Sequence, residues 1–341
     1  VAARGSYVYS AGATRNSSNN LDLIVMRWSS LTGAFKWAKR YAGAAKMDDE
    51  ATDVVIDGNG NAIVCGTTEN AAGRTSWVVR KYTPAGDKKW TWTYDGSALT
   101  NDTPTEMVVD SSNNIYVTGH TQQDAVLGFF TVKLSPTGAK LWSRKYRGFD
   151  DLGGTCWAIA RCPSGGVYVG GIIQSATTSY DAVVLRYSAA GTRTVFEYFT
   201  AGNDATWESA RDIAVASDGK VFAVGSKDES DPMWVAWLPY GGLQSASWET
   251  TAGYDSWEAV ATDSYGGVYI AGPYDNVSVN PNIRTFRSSV LPGGGGWMYD
   301  YDGNGYDRSF GALAVSGLSV AVVGRQYNGS NYDQYVHIWT Y

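Results

Sequence analysis

The stretch AVATDSYGGVYIAG, residues 259–272, decides the fold. It reads as a short apolar strand, a polar turn carrying Ser and Gly, and a second apolar strand ending in a small residue followed by Gly. That second strand recurs seven times: YVYSAG ending at Gly12, AIVCG at Gly66, IYVTG at Gly119, VYVGG at Gly171, VFAVG at Gly225, VYIAG at Gly272 and VAVVG at Gly324. Successive glycines lie 47 to 54 residues apart. Several short strands repeated at that interval are what the blades of a β-propeller require.

Working outward, each period reads as four strands. Strand a precedes the turn, as in ATDVVID (51–57), TEMVVD (105–110), CWAIARC (156–162), RDIAVA (211–216), EAVATD (258–263) and GALAVS (311–316). Strand b carries the repeated Gly. A longer variable loop leads to strand c, as in DLIVMRW (22–28), SWVVRKY (76–82), FFTVKL (129–134) and DAVVLRY (181–187). A second tight turn (SLTGA, TPAGD, SPTGA, SAAGT) opens strand d, where Trp37, Trp90, Trp142 and Trp297 fall four residues after an aligned Gly. Tyr41, Tyr94, Tyr146, Phe199 and Tyr301 follow at a shared place. Such tryptophans could stack sugars, but their fixed place in the repeat argues for packing between blades.

The unit built from AVATDSYGGVYIAG (259–272), TEMVVDSSNNIYVTGHT (105–121) and DAVVLRYSAAG (181–191) resembles the beta-propeller repeat family of bacterial and archaeal secreted and surface proteins. The resemblance covers essentially the whole chain. It implies an extracellular or cell-surface location and an architecture, and it brings no shared catalytic residues. The Gly-x-x-x-Trp element is also similar to the tryptophan-docking repeat of quinone-dependent dehydrogenases. Those have eight blades, and the present chain shows no cofactor-binding constellation.

The expected architecture is therefore all-β: one seven-bladed propeller of four-stranded antiparallel blades over residues 1–341. The blades fall at approximately 1–45, 46–98, 99–149, 150–203, 204–253, 254–305 and 306–341. The chain stops at VHIWTY, which matches strand c, so the last blade is expected to lack its own outer strand. Its final segment, YDQYVHIWTY (332–341), is then a free edge that a partner protein or a further copy of the chain could pair with. Residues preceding Val1 would be the other means of completing the blade.

Composition narrows the function. Net charge is −6 with pI near 5, which argues against a nucleic-acid partner, and no apolar run is long enough for a membrane span. The three cysteines (Cys65, Cys156, Cys162) read as buried thiols and leave the redox compartment open. Two histidines, His120 and His337, assemble no Ser/His/Asp, Cys/His or zinc pattern. GGGG at 293–296 is a turn and no phosphate loop, and sialidase-type Asp boxes are absent. No catalytic residue, metal or cofactor is expected. Sequons at Asn16, Asn101, Asn276 and Asn328 lie in expected loops.

The strongest constellation is positional. The starts of strand a should line the mouth of the channel, and they carry Asp53, Glu106, Asp212 and Glu258, with Trp157 and Gly311 as departures. Arg211, Trp257 and Phe310 precede them, and the d–a loops add Asp48, Asp49, Asp102, Asp150, Asp151, Asp204, Trp207, Tyr254, Asp255 and Asp307. An acidic, aromatic-rimmed mouth would attract a cation or stack a sugar. Repetition favours another use, in which each Asp holds backbone N–H groups of its own loop. Residues that break the repeat, namely Trp157, Trp207, Trp257, Phe310 and Arg211, are the better ligand candidates. The expected function is a non-enzymatic interaction or self-assembly propeller. A glycan-binding propeller and a polysaccharide lyase or hydrolase are the alternatives.

Overall fold

The computed structural model describes residues 1–96, 100–123, 126–176, 179–199, 207–227, 231–237, 243–248, 256–274, 282–288, 296–301, 307–316, 319–327 and 332–340. Side chains are described for most residues up to 226, for 256–273, and beyond that for Leu313, Val315 and Ala321. All described secondary structure is extended. The protein is a β-propeller whose described strands form seven antiparallel sheets, six of four strands and a last one of three. Each four-stranded sheet runs a-b-c-d in chain order, as a blade should. The last sheet holds Asp307–Ser316, Ser319–Tyr327 and Tyr332–Thr340, and among the described residues it has no outer strand.

The chain divides into two compact units: residues 1–161 with 189–191, and residues 162–188 with 192–341. In the first unit, alternate residues of one blade serve two different cores, as period-two side chains must. Val54, Ala62, Val64, Val78 and Tyr82 of the second blade pack on Tyr9, Leu23 and Val25 of the first. Ile63, Cys65, Trp77 and Val79 face the other way, onto Met107, Val117, Phe130 and Val132 of the third. The second unit repeats this, with Phe222 and Val224 of the fifth blade against Trp257, Val260 and Ile270 of the sixth. A four-stranded sheet cannot bury both faces alone, and stacking solves that for every blade with neighbours.

The repeated strand-b Gly has a steric cause. Strand a carries a bulge opposite it, between Ala51 and Asp53 in the second blade, opposite Thr118 and Gly119 in the third, and between Ala210 and Asp212 in the fifth. The bulge lays a carbonyl onto the glycine Cα. A Cβ on Gly66 would stand 1.9 Å from the Glu50 oxygen, on Gly225 1.8 Å from that of Ser209, and on Gly272 1.9 Å from that of Ser256. In the first blade, strand a is Ala2–Arg4 and pairs only with Tyr7–Tyr9, so nothing overhangs Gly12.

Strand d closes each joint from outside. Trp37 Nε1 donates to the Pro84 carbonyl at 3.0 Å, Trp90 to that of Pro136 at 3.0 Å and Trp142 to that of Ala189 at 3.0 Å. Each carbonyl belongs to the next blade's c–d turn and also accepts a strand-c cation, Arg27, Lys81 or Lys133. The indole rests on that turn's Gly, at Gly86, Gly138 and Gly191. The tryptophans expected to pack between blades do so wherever their side chains are described; that of Trp297 lies outside the described residues.

Two glycines separate the steric part of this seat from the backbone part. Gly138 and Gly266 have nearly the same left-handed φ, +87° and +86°, but a Cβ on Gly138 would meet Trp90 at 2.7 Å while Gly266 faces open space. Gly266→Ala should cost about 1 kcal/mol, the left-handed penalty alone, and Gly138→Ala about 2–3 kcal/mol. Denaturant midpoints measure both, and equal losses would show that the tryptophan seat constrains nothing.

Candidate functional site

The inner-strand carboxylates are joints between blades. Asp53 accepts from its neighbour Val54 N at 2.6 Å and from Met107 N of the next blade at 2.9 Å. Glu106 accepts from Ile159 N of the fourth blade's inner strand at 2.8 Å. In the second unit Asp212 repeats the pattern with Ile213 N at 2.7 Å and Val260 N at 2.7 Å. The bulge that needs Gly on strand b is what turns these side chains toward the neighbouring inner strand. Burial pushes the Asp53 and Asp212 carboxyls up, Asp212 to about 7, against the opposing pull of the amide donors.

The loop carboxylates behave as expected for turns. Asp49, fully buried, accepts from Gly43 N at 2.6 Å in its own d–a loop. Asp102, also fully buried, accepts from Gly96 N at 2.6 Å and from Thr121 Oγ1 and Gln122 N of strand b. Asp48 Oδ1 caps Leu21 N of the preceding blade at 2.8 Å, and Asp151 pairs with Arg147 at 2.6 Å. Asp204, Tyr254 and Asp255 lie outside the described residues, as does the side chain of Asp307. Among the described residues no group of three or more His, Cys, Asp and Glu could hold a metal ion.

The remaining candidates divide between the two units. Asp53, Glu106 and Trp157 belong to the first unit; Trp207, Arg211, Asp212, Trp257, Glu258 and Phe310 belong to the second. Glu258 does not stand where Asp53, Glu106 and Asp212 stand. Counting from the carbonyl over the strand-b Gly, it takes the bulge position of Thr52, Thr105 and Arg211, and it accepts from Ser256 Oγ at 2.8 Å. The spacing shows the offset directly: Glu258 lies 14 residues before Gly272, as Thr52 does before Gly66, and Asp53 lies 13. Trp257 is 5% exposed and is core between two blades, so it offers no face to a ligand. Trp157 is partly buried on the fourth inner strand, and the side chain of Phe310 lies outside the described residues. Trp207 alone of these aromatics is open, at 42% exposure, and its ring lies 4.4 Å from that of Tyr180, a residue the sequence did not single out.

One cysteine also proved positional. Strand a ends in a carboxylate that closes the a–b turn: Asp57 takes Asn59 N and Asn61 N at 2.9 Å, Asp110 takes Ser112 N and Asn114 N at 2.9 Å, and Asp263 takes Tyr265 N and Gly267 N. A strand-c cation faces the first two, with Lys81–Asp57 at 2.7 Å and Lys133–Asp110 at 3.8 Å. In the fourth blade this place belongs to Cys162, with Ser164 Oγ at 3.1 Å and Arg186 beside it. Burial pushes the Cys162 thiol up, but Ser164 and Arg186 together hold it below its ordinary value. All three cysteines are free and buried.

His120 is half-buried within strand b, Ile115–Gln123, and burial lowers its pKa against the raising effect of Asp102. His337 has no described side chain. Of the sequons, Asn16 spends its amide on Asp22 at 2.8 Å and its carbonyl on Ser18 N and Asn20 N, while Asn101 Oδ1 caps Thr75 N. Asn276 and Asn328 lie outside the described residues.

Known proteins agree on the fold. The family described as beta-propeller repeat matches residues 92–124. No curated protein matches the sequence. Among solved structures, the chain is similar to the polysaccharide lyase Uly1, with 10% identity and a TM-score of 0.62 over 99% of this chain and 88% of that one. It is similar to a PL25 ulvan lyase at 10% identity and a TM-score of 0.62, over 99% and 90%. The propeller domain of the Trilobed protease from Pyrococcus furiosus aligns at 9% identity and a TM-score of 0.56, over 98% and 95%.

Two measurements test these assignments. Cys162→Asp should restore the turn carboxylate opposite Arg186 and stabilise the protein by about 1 kcal/mol, a gain that Arg186→Met removes. For Asp212, the folded carboxyl binds its proton more tightly than the unfolded one, whose pKa is about 4. Its contribution to stability is therefore largest below about pH 4 and declines up to about pH 7. Asp212→Asn should lower the melting temperature through its misfitted N–H, and its deficit against wild type should shrink as pH rises through that window.

Proposed function

We propose that this chain, a protein of the beta-propeller repeat family, is a non-enzymatic interaction propeller working outside the cell or at its surface. One observation carries the reading. The carboxylates that recur at the inner strands, where acid–base chemistry would be sought, are committed to backbone amides of the adjoining blade at 2.7–2.9 Å. A carboxyl whose oxygens are taken up by such bonds is poorly placed to reach a substrate, and removing it costs the fold before it costs any chemistry.

The interaction surface that this reading names is the last strand. Tyr332–Thr340 pairs with Ser319–Tyr327 along one edge, and among the described residues its other edge joins no strand. A row of unpaired N–H and C=O groups attracts an added strand, from a partner protein or from another copy of the chain. Light scattering on the purified protein tests self-assembly. Association that disappears when Val336→Pro removes a ladder donor supports it. A monomer at all concentrations that also takes up no strand peptide overturns the assignment of this edge.

A polysaccharide lyase is the second reading, because the lyases named above align along 99% of the chain. Its base would be His120, which burial keeps neutral near pH 7 and whose Nδ1 has no hydrogen-bond partner. Incubation with ulvan, alginate and polygalacturonate, followed by ultraviolet absorbance, reports unsaturated ends. The interaction reading expects none; product that is lost in His120→Ala would replace it with the lyase.

A further inference from the structure

The repeat has a polar clasp between the start of strand c in one blade and the d–a loop of the next. Leu21 N donates to Asp48 Oδ1 at 2.8 Å, and Thr75 N to Asn101 Oδ1 at 3.2 Å. The register fixes both partners. Leu21 and Thr75 each stand three residues before the residue opposite the strand-b Gly, that is Ile24 opposite Gly12 and Val78 opposite Gly66. Asp48 and Asn101 each stand three residues before the strand-a residue opposite Gly, Ala51 and Pro104.

The same count in the second unit lands on Tyr180, three before Val183 opposite Gly171, and on Trp207, three before Ala210 opposite Gly225. There an indole stands in place of the Asp or Asn side chain and a phenol in place of Leu or Thr. The two residues form a parallel bridge, and their rings meet at 4.4 Å with 53° between planes. Tyr180 is partly buried and Trp207 is 42% exposed, more than any other tryptophan among the described residues. An indole held by a backbone bridge and a tilted phenol, with 42% of it exposed, is an oriented stacking surface.

From this replacement we propose that Tyr180 and Trp207 form a binding site for a neutral glycan. A pyranose ring offers an apolar C–H face to an aromatic plane while its hydroxyls stay hydrated, so a half-exposed indole suits it. Charge selects the class of sugar. The whole chain carries −6 at pH 7. A uronate or sulfated sugar would meet repulsion there and a neutral hexose would not. The inference goes beyond the interaction reading and does not depend on the last strand.

The repeat supplies the test variant. Tyr180→Thr with Trp207→Asn rebuilds the Thr75–Asn101 clasp, so the fold should hold while the stacking surface goes. Trp207→Phe keeps an aromatic face and controls for local disruption. Native affinity electrophoresis through galactomannan or hydroxyethyl cellulose should retard wild type, and alginate or polygalacturonate should not. The double variant should bind at least about tenfold more weakly at an unchanged melting temperature, with Trp207→Phe intermediate. Unretarded wild type in both neutral gels, undiminished binding by the double variant, or a preference for the polyanions overturns the proposal. Self-association measured by light scattering and product release from polyuronides are read separately, so failure here leaves the interaction reading to its own tests.

Discussion

A carbonyl pressed onto a glycine organises the joints that Gly66, Gly119, Gly225 and Gly272 serve. Because strand a bulges opposite strand b, the Glu50 oxygen occupies the space a Cβ on Gly66 would need, and the equivalent holds at Gly225 and Gly272. The extra residue rotates the next side chain out of its own sheet and toward the neighbouring inner strand. Asp53, Glu106 and Asp212 then reach amides some fifty residues further along the chain. A glycine, a bulge and an acid that look like three separate preferences are one mechanical device.

The outer strands answer with a second device of different chemistry. Where the inner joint uses a carboxylate on an amide, the outer one uses an indole N–H and a cation on a single carbonyl, seated on a left-handed glycine. Holding a blade at both ends fixes its angle to its neighbour, which apolar stacking alone leaves loose because hydrophobic contact has no direction. Buried carboxylates are costly, and the raised pKa of Asp53 and Asp212 expresses that cost. Desolvation and bonding are opposed at these joints, so geometry is obtained with little net stabilisation.

How much of this the sequence disclosed follows from how local each signal is. The strand-b Gly, the turn residues and the Gly-x-x-x-Trp spacing are short patterns, and they led directly to blades and to packing tryptophans. Glu258 matches Asp53 in residue type only: it lies 14 residues before its strand-b Gly, as Thr52 does, whereas Asp53 lies 13, so a count from the glycine places it. The acids were read as turn residues; that holds for Asp49 and Asp102, whereas the inner-strand set binds across the joint. Trp257, counted with the open aromatics, is core because the neighbouring sheet covers it. Cys162 could have been found by aligning it with Asp57 and Asp110, a comparison that needs only the repeat.

Repeats make departures measurable. When most blades solve a local problem with the same groups, a blade that solves it otherwise has either drifted or acquired a use, and exposure helps to tell them apart. Cys162 is buried and still sits beside a cation, whose pull with that of Ser164 lowers the thiol's pKa, so its blade keeps the same pairing with a softer group. Tyr180 and Trp207 differ in kind, because a polar clasp at the surface has given way to two rings, one of them 42% exposed. A drifting joint should lose its large apolar surface, since exposed indole gains nothing for the fold and invites aggregation. Retaining it at a joint that Thr and Asn hold elsewhere places the benefit outside the blade, on whatever the ring touches.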